Sequence, residues 1–246
     1  MIVAAHQPHY LPWLGYLAKM AACDLFVVMD DLQYEPQNFQ NRNRVKVSNR
    51  AVWLTVPLVR GSQGERIRDK LIDEGHNEKE QWQRRTWETL RVHYGACPWF
   101  GHYAADLEQV YTRRWWTLLE LDVHMLELHR TWFGLRTPVV LASTLGVTGA
   151  RSARILDICR ALGADTYLSG SGASVAYLDT ELLARAGVRV AWQNFRHPVY
   201  PQRYARQGFV PRLAAIDLLF NCGPRSREIL QSGIESRPEV HHEKAV

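Results

Sequence analysis

Ile2-Val3-Ala4-Ala5-His6-Gln7-Pro8-His9-Tyr10-Leu11-Pro12-Trp13 begins as an apolar run, breaks at two prolines and leads into a second apolar pattern. Residues 2–5 read as a buried strand, and Pro8 and Pro12 make the following segment an irregular loop. From Trp13 to Ala22 the spacing of Trp13, Leu14, Leu17 and Ala18 suits a short helix. Leu25-Phe26-Val27-Val28-Met29 reads as a second buried strand, ending at Asp30-Asp31. Strand, loop, helix and strand form one βαβ unit, so the expected class is α/β with a mostly parallel sheet, Rossmann-like in grammar.

Working outward, residues 33–43 are polar and read as an exposed loop. Arg44 to Ser48 and Val52 to Leu58 read as strands joined at Ser48-Asn49-Arg50, a β-hairpin at about 44–58. Residues 77–134 are expected to be mostly helical. Trp82, Trp87, Leu90 and Tyr94 mark one helix, Pro98 starts another, and Trp115 to Phe133 carries a wide apolar face. Strand–helix alternation then resumes. Val139-Val140-Leu141 is a strand, Ser152 to Leu162 a helix ended by Gly163, and Thr166 to Leu168 a strand running into Ser169-Gly170-Ser171-Gly172-Ala173. Asp179 to Ala186 is a helix and Val188 to Phe195 a strand. The expectation is a single α/β domain over 1–232, with a helical insertion at about 77–134 and a flexible tail at 233–246.

Composition narrows the class. The 246 residues are 46% hydrophobic and 22% charged, enough for one large core and close to ordinary globular usage. No apolar run approaches the roughly eighteen residues of a membrane span, and the apolar opening is interrupted at once by His6 and His9, unlike a secretory signal. Cys23, Cys97, Cys159 and Cys222 are scattered without a paired spacing, which fits reduced thiols and a cytoplasmic setting. The net charge of +5 permits an anionic ligand without demanding nucleic acid. The many tryptophans and tyrosines read mainly as aromatic core filling.

The segment His6 to Trp13 carries the strongest chemical signal. It follows a strand and precedes a helix, which in a parallel sheet is the carboxyl edge where ligands bind. Two histidines three apart on a proline-stiffened turn can converge on one ligand, with backbone N–H groups of the helix start behind them. The competing structural reading has His6 capping the helix and His9 merely exposed. Gln7, Tyr10 and Trp13 add candidate substrate contacts. Asp30 and Asp31 end the next strand and suit a Mg²⁺ ion or acid/base work, or else an ordinary strand-end turn. Asn41, Arg42 and Arg44 form an amide- and guanidinium-rich stretch suited to phosphate or carboxylate, or a solvated hairpin face. Ser169 and Gly170 open a turn of the oxyanion-cradling kind. Asp217, inside an apolar helix expected over Leu213 to Phe220, is either a buried structural partner or functional. His124 and His129 do not share a helix face, so a zinc-protease site is unsupported.

His6-Gln7-Pro8, Tyr10-Leu11-Pro12-Trp13, Gly15-Tyr16, Lys19, Asp24, Asp30, Gln33-Tyr34 and Asn41-Arg42-Asn43-Arg44 together resemble the WbqC-like family. So do Tyr167-Leu168-Ser169-Gly170, Tyr177-Leu178-Asp179 and Asp217-Leu218-Leu219-Phe220-Asn221-Cys222-Gly223. His9 stands where family members often carry Asn. The resemblance implies a place in bacterial surface-polysaccharide or secondary-metabolite biosynthesis. The strand leading into His-x-x-His is also similar to the nucleotidyltransferase signature, with Pro8 where that signature has glycine.

The resulting expectation is a transferase joining an acyl or aminoacyl group to an amine such as an amino sugar. His6 and His9 serve catalysis with Asp30, while Lys19, Arg42 and Arg44 contact an anion. The cofactor is open, with ATP or another nucleotide with Mg²⁺ as candidates. An activated donor is required, and a charged tRNA donor is compatible with the basic balance without a recognised RNA-binding module. The alternatives are a Mg²⁺-dependent nucleotidyl or sugar transferase, and a non-catalytic protein that binds a sugar nucleotide or a partner.

Overall fold

In β1 (Ile2–His6), Val3 and Ala5 join one buried cluster and Ala4 another, so the strand is covered on both faces and lies inside a sheet. The computed structural model, which describes residues 1–62, 64–73, 81–172 and 174–234, sets β1 third in a sheet of five parallel strands. β2 (Leu25–Val28) pairs with it on one side, with β5 (Val139–Leu141) beyond. β6 (Thr166–Ser169) pairs with it on the other, with β7 (Arg189–Trp192) beyond. The spatial order β5-β2-β1-β6-β7 winds outward from β1 in both directions, which is the doubly wound Rossmann-like arrangement.

Helix α1 (Leu14–Ala21) packs in the larger cluster through Leu14, Leu17, Ala18 and Met20. Helices α5 (Arg151–Leu162) and, after the short α6 (Ser174–Tyr177), α7 (Thr180–Arg185) cover the opposite face with Leu156, Ile158 and Leu183. Gly163 ends α5 at φ 64°, the left-handed conformation that a residue without Cβ adopts at low cost. Between β2 and β5 the described residues include a two-stranded hairpin and the α-helices α2 (Trp82–Tyr94), α3 (Phe100–Thr112) and α4 (Leu118–Trp132). The side chain of Thr117 and that of Glu120 cap α4 reciprocally. The start of the expected insertion at 77–80, Ala173 of the Gly/Ser turn and the expected tail from 235 onward lie outside the described residues.

Three boundaries differ from expectation. The hairpin strands are β3 (Arg42–Lys46) and β4 (Ala51–Thr55), so Arg42 and Asn43 are strand rather than loop. Two buried amides move the boundary: Asn43 donates to the Leu11 carbonyl and Asn41 to that of Val56, burying a stretch that looks soluble. The C-terminal apolar helix is α8 (Ile216–Cys222), starting later than Leu213 because Ala214 bridges Trp13 in extended pairing and the preceding Arg212 takes φ 58°. Gly233 and Ile234, assigned to the tail, are held: Ile234 bridges Phe195, and Arg196 N–H donates to the Gly233 carbonyl. No helix among the described residues is long and apolar enough to cross a membrane.

Candidate active site

Because all five strands are parallel, the ends of β1, β2, β5, β6 and β7 share one edge. The strand order reverses between β1 and β6, and the crevice outside such a reversal is where ligands bind in open α/β sheets. His6 is the last residue of β1 and Ser169 the last of β6. Continuing the register Ala4 to Leu168 sets His6 level with Gly170. Ser169 is buried and Gly170 half-buried, so this turn forms one wall of the crevice.

His6 Nδ1 lies 3.1 Å from the Gln7 carbonyl. A carbonyl only accepts, so Nδ1 carries the hydrogen and Nε2 keeps its lone pair. The rings of His6, His9 and Tyr16 meet in a triangle, with centroids 4.7 Å apart for His6–His9, 4.9 Å for His6–Tyr16 and 4.8 Å for His9–Tyr16. Burial, then the nearby Lys19 ammonium, holds His6 down at about 3, against the weaker opposing effect of the Gln7 carbonyl. Burial and His6 likewise hold His9 well below the usual imidazole range. Both rings are therefore neutral at pH 7.

Polar atoms buried without a hydrogen-bond partner include His9 Nδ1 and the Tyr16 hydroxyl within the triangle, Asp30 Oδ2 just beyond β2, and both oxygens of Asp122 on α4. Burial raises the Asp122 carboxyl well above the carboxylate range, favouring its neutral form. Burial first, then the charge on Asp122, pushes the Tyr16 phenol up. Unsatisfied buried polar groups are costly, and those at the ends of β1 and β2 mark this edge as a candidate site. Tyr16 and Asp122 are not among the candidate site residues that the sequence offers. The signal for Asp122 was its position: Leu118, Leu121, Met125 and Leu126 line the apolar stripe of α4, and Asp122 sits within it.

The remaining sequence candidates divide by place. Gln7 joins the loop to the hairpin side, its Oε1 accepting from Gln40 Nε2 at 2.8 Å. Asp30 Oδ1 accepts from Ser143 N–H at 3.0 Å, binding the end of β2 to the turn after β5. Asp31 turns elsewhere and accepts from Arg154 with both oxygens, so the two adjacent carboxylates do not converge. Among the described residues no group of three or more His, Cys, Asp or Glu could hold a metal ion. Trp13 caps α1 with its indole laid over Gly15, where a Cβ would come within 2.2 Å of the ring. Tyr10 points into the helical block, its hydroxyl 2.8 Å from that of Tyr111. Lys19 is buried beneath β1 and donates to the Ala5 carbonyl at 2.9 Å. Arg42, Arg44 and the buried Asn41 lie on and beside the hairpin.

Asp217 is fully buried and accepts from Tyr94 at 2.8 Å and from Tyr200 and Gln202 at 2.9 Å each. Its oxygens are spoken for, which makes it a structural junction of α2, α8 and the 200–210 segment.

The model of the WbqC-like protein family matches residues 7–229. The chain is 31% identical over 232 residues to the uncharacterized protein Rv1507c of Mycobacterium tuberculosis, covering 93% of this chain and 97% of that one. No solved structure matches.

Proposed function

The chain belongs to the WbqC-like protein family, and from that premise we propose that it is a transferase joining an acyl or aminoacyl group to an amine, such as an amino sugar, in surface-polysaccharide or secondary-metabolite biosynthesis. The observation that carries this reading is the fixed tautomer of His6, with Nδ1–H turned to Gln7 and the Nε2 lone pair left over at the strand crossover. A neutral lone pair there accepts the N–H of an uncharged amine and orients it. As the nitrogen attacks the donor carbonyl, a C–N bond forms and the bond from carbonyl carbon to leaving group breaks. The amine proton leaves with the departing group, while His6 Nε2, too weak a base to hold it, keeps the N–H oriented through its lone pair. The backbone of the Ser169–Gly170 turn is the neighbouring wall against which the developing oxyanion would rest. Asp30, through its unpartnered Oδ2, is the carboxylate offered to a second N–H of the amine.

A Mg²⁺-dependent nucleotidyl transfer would need Asp30 and Asp31 to work together. Arg154 engages Asp31, so that donor set does not fit a shared Mg²⁺ ion. The test is incubation of the purified protein with acyl-CoA thioesters, acyl adenylates and aminoacyl-tRNA against amino sugars and their nucleotide conjugates, read by mass spectrometry. An amide product made by the wild type and lost in His6→Gln, with an unchanged melting temperature, is expected. Pyrophosphate release from a nucleoside triphosphate and a sugar phosphate, without any amide, would overturn the reading. Undiminished product formation in cells by His6→Gln would instead leave a binding protein.

A further inference from the structure

Arg42 and Arg44 alternate along β3 and therefore share a face of the hairpin, with Trp53 directly across from Arg44 in register. The Arg42 guanidinium carbon sits 4.4 Å from the Trp53 ring centre and that of Arg44 5.6 Å away. Cation–π contact orients both guanidinium groups without cancelling their charge. Arg42 donates to the Gln37 carbonyl, and the Nε of each arginine is buried without a partner. Among the described residues no carboxylate is within ion-pair distance of either group. Two oriented, uncompensated guanidinium forks make a receptor for an oxyanion.

This face borders a cavity of 870 Å³. Thr55, the register partner of Arg42, lines it, together with Tyr34, Asn41 and Arg60. Asn41 is 8% exposed and spends its Nδ2 on the Val56 carbonyl, while its Oδ1 is buried and unpartnered. Among the described residues the wall carries one carboxylate, Glu65, already paired with Lys70 at 2.8 Å. The wall thus offers a phenol ring, a hydrogen-bond acceptor, and cationic rim groups with no free anion. Its volume falls within the roughly 300–1,000 Å³ of small-molecule sites.

We propose that this cavity and the Arg42–Arg44–Trp53 face bind a nucleoside diphosphate group. The base lies against Tyr34 and donates an N–H to Asn41 Oδ1, and the phosphates lie on Arg42 and Arg44. The hairpin is continuous with the reacting edge: Phe39 stands between the two, its ring 5.6 Å from that of His9 and 5.9 Å from that of Trp53. The assignment rests on the transferase reading only in making the nucleotide the handle of the molecule that reacts at His6.

Isothermal titration with UDP, ADP, CDP, uridine and pyrophosphate tests it directly. One nucleoside diphosphate is expected to bind more tightly than its nucleoside or pyrophosphate. Arg44→Met should weaken it at least tenfold, while His6→Gln leaves binding within twofold. Arg60→Gln, on an exposed stretch of the rim, serves if Arg44→Met does not fold, and should weaken binding severalfold. Binding of no nucleoside diphosphate at millimolar concentration, equal affinity for pyrophosphate, binding only of RNA, or affinity indifferent to these arginines would overturn the assignment. Nucleotide binding that depends on Arg44, in a protein that makes no amide, would sink the transferase reading and leave this site standing. Amide formation without nucleotide binding would do the reverse.

Discussion

Asp217→Ala removes the acceptor of two buried donors, the hydroxyls of Tyr94 and Tyr200, and of one amide hydrogen of half-buried Gln202, whose nitrogen keeps the Val210 carbonyl at 2.9 Å. Leaving a buried donor unsatisfied costs about 1–3 kcal/mol, so the two hydroxyls should cost the variant about 2–6 kcal/mol. That is a large part of the 5–15 kcal/mol typical of a folded domain. The loss should propagate, because Tyr94 also accepts from Lys46 N–H at 2.7 Å and Gln202 accepts from Val210 N–H at 2.9 Å. Asp217→Asn keeps one acceptor oxygen but turns an NH₂ toward other donors, and should cost less than alanine. Tyr200→Phe deletes a single donor and should cost about 1 kcal/mol. Urea unfolding followed by tryptophan fluorescence reads the series, with midpoints falling in the order Tyr200→Phe, Asp217→Asn, Asp217→Ala. If Asp217→Ala does not accumulate, the two milder variants still test the ranking. An alanine variant within 1 kcal/mol of wild type would refute the reasoning, and one that kept its stability but lost activity would make the carboxylate functional instead.

Burial of Lys19 lowers its ammonium from 10.5 to about 8, so between those values the unfolded chain binds more protons than the folded one. Wild-type stability should therefore gain about 3 kcal/mol on this account as pH rises from 8 to 10.5, and lose it again as pH falls back to 8. Lys19→Met should lack that component in parallel urea titrations, and an identical pH slope in both proteins would count against it. For His6, held down at about 3 chiefly by burial, catalysis should show no acid limb from this residue between pH 5 and 8. A pH–rate profile falling near 6.5 in the wild type, with the fall abolished by a His6→Gln variant of residual activity, would contradict the assigned neutral state.

Periodicity and prolines in the first thirty or so residues were enough to read the parallel α/β class, the loop after β1 and the edge on which His6 lies. Those are local properties: strand burial writes a continuous apolar run, Pro8 and Pro12 prevent regular pairing, and Gly163 stops a helix wherever the rest of the chain goes. Other properties depend on what a side chain meets at long range. Asn41 and Asn43 look like loop residues until the Val56 and Leu11 carbonyls take their amides into the interior. Asp30 and Asp31 look like a pair until Ser143 and Arg154 draw them apart. Lys19 looks like an anion contact, and in the fold its ammonium is spent on Ala5. Asp122 carries no sequence candidacy; its burial without a partner, near Tyr16, belongs to the tertiary structure alone. The sequence by itself determined the local geometry that backbone sterics and hydrophobic period impose. Only the fold decided which polar groups are satisfied, because that depends on partners separated by tens to hundreds of residues of chain.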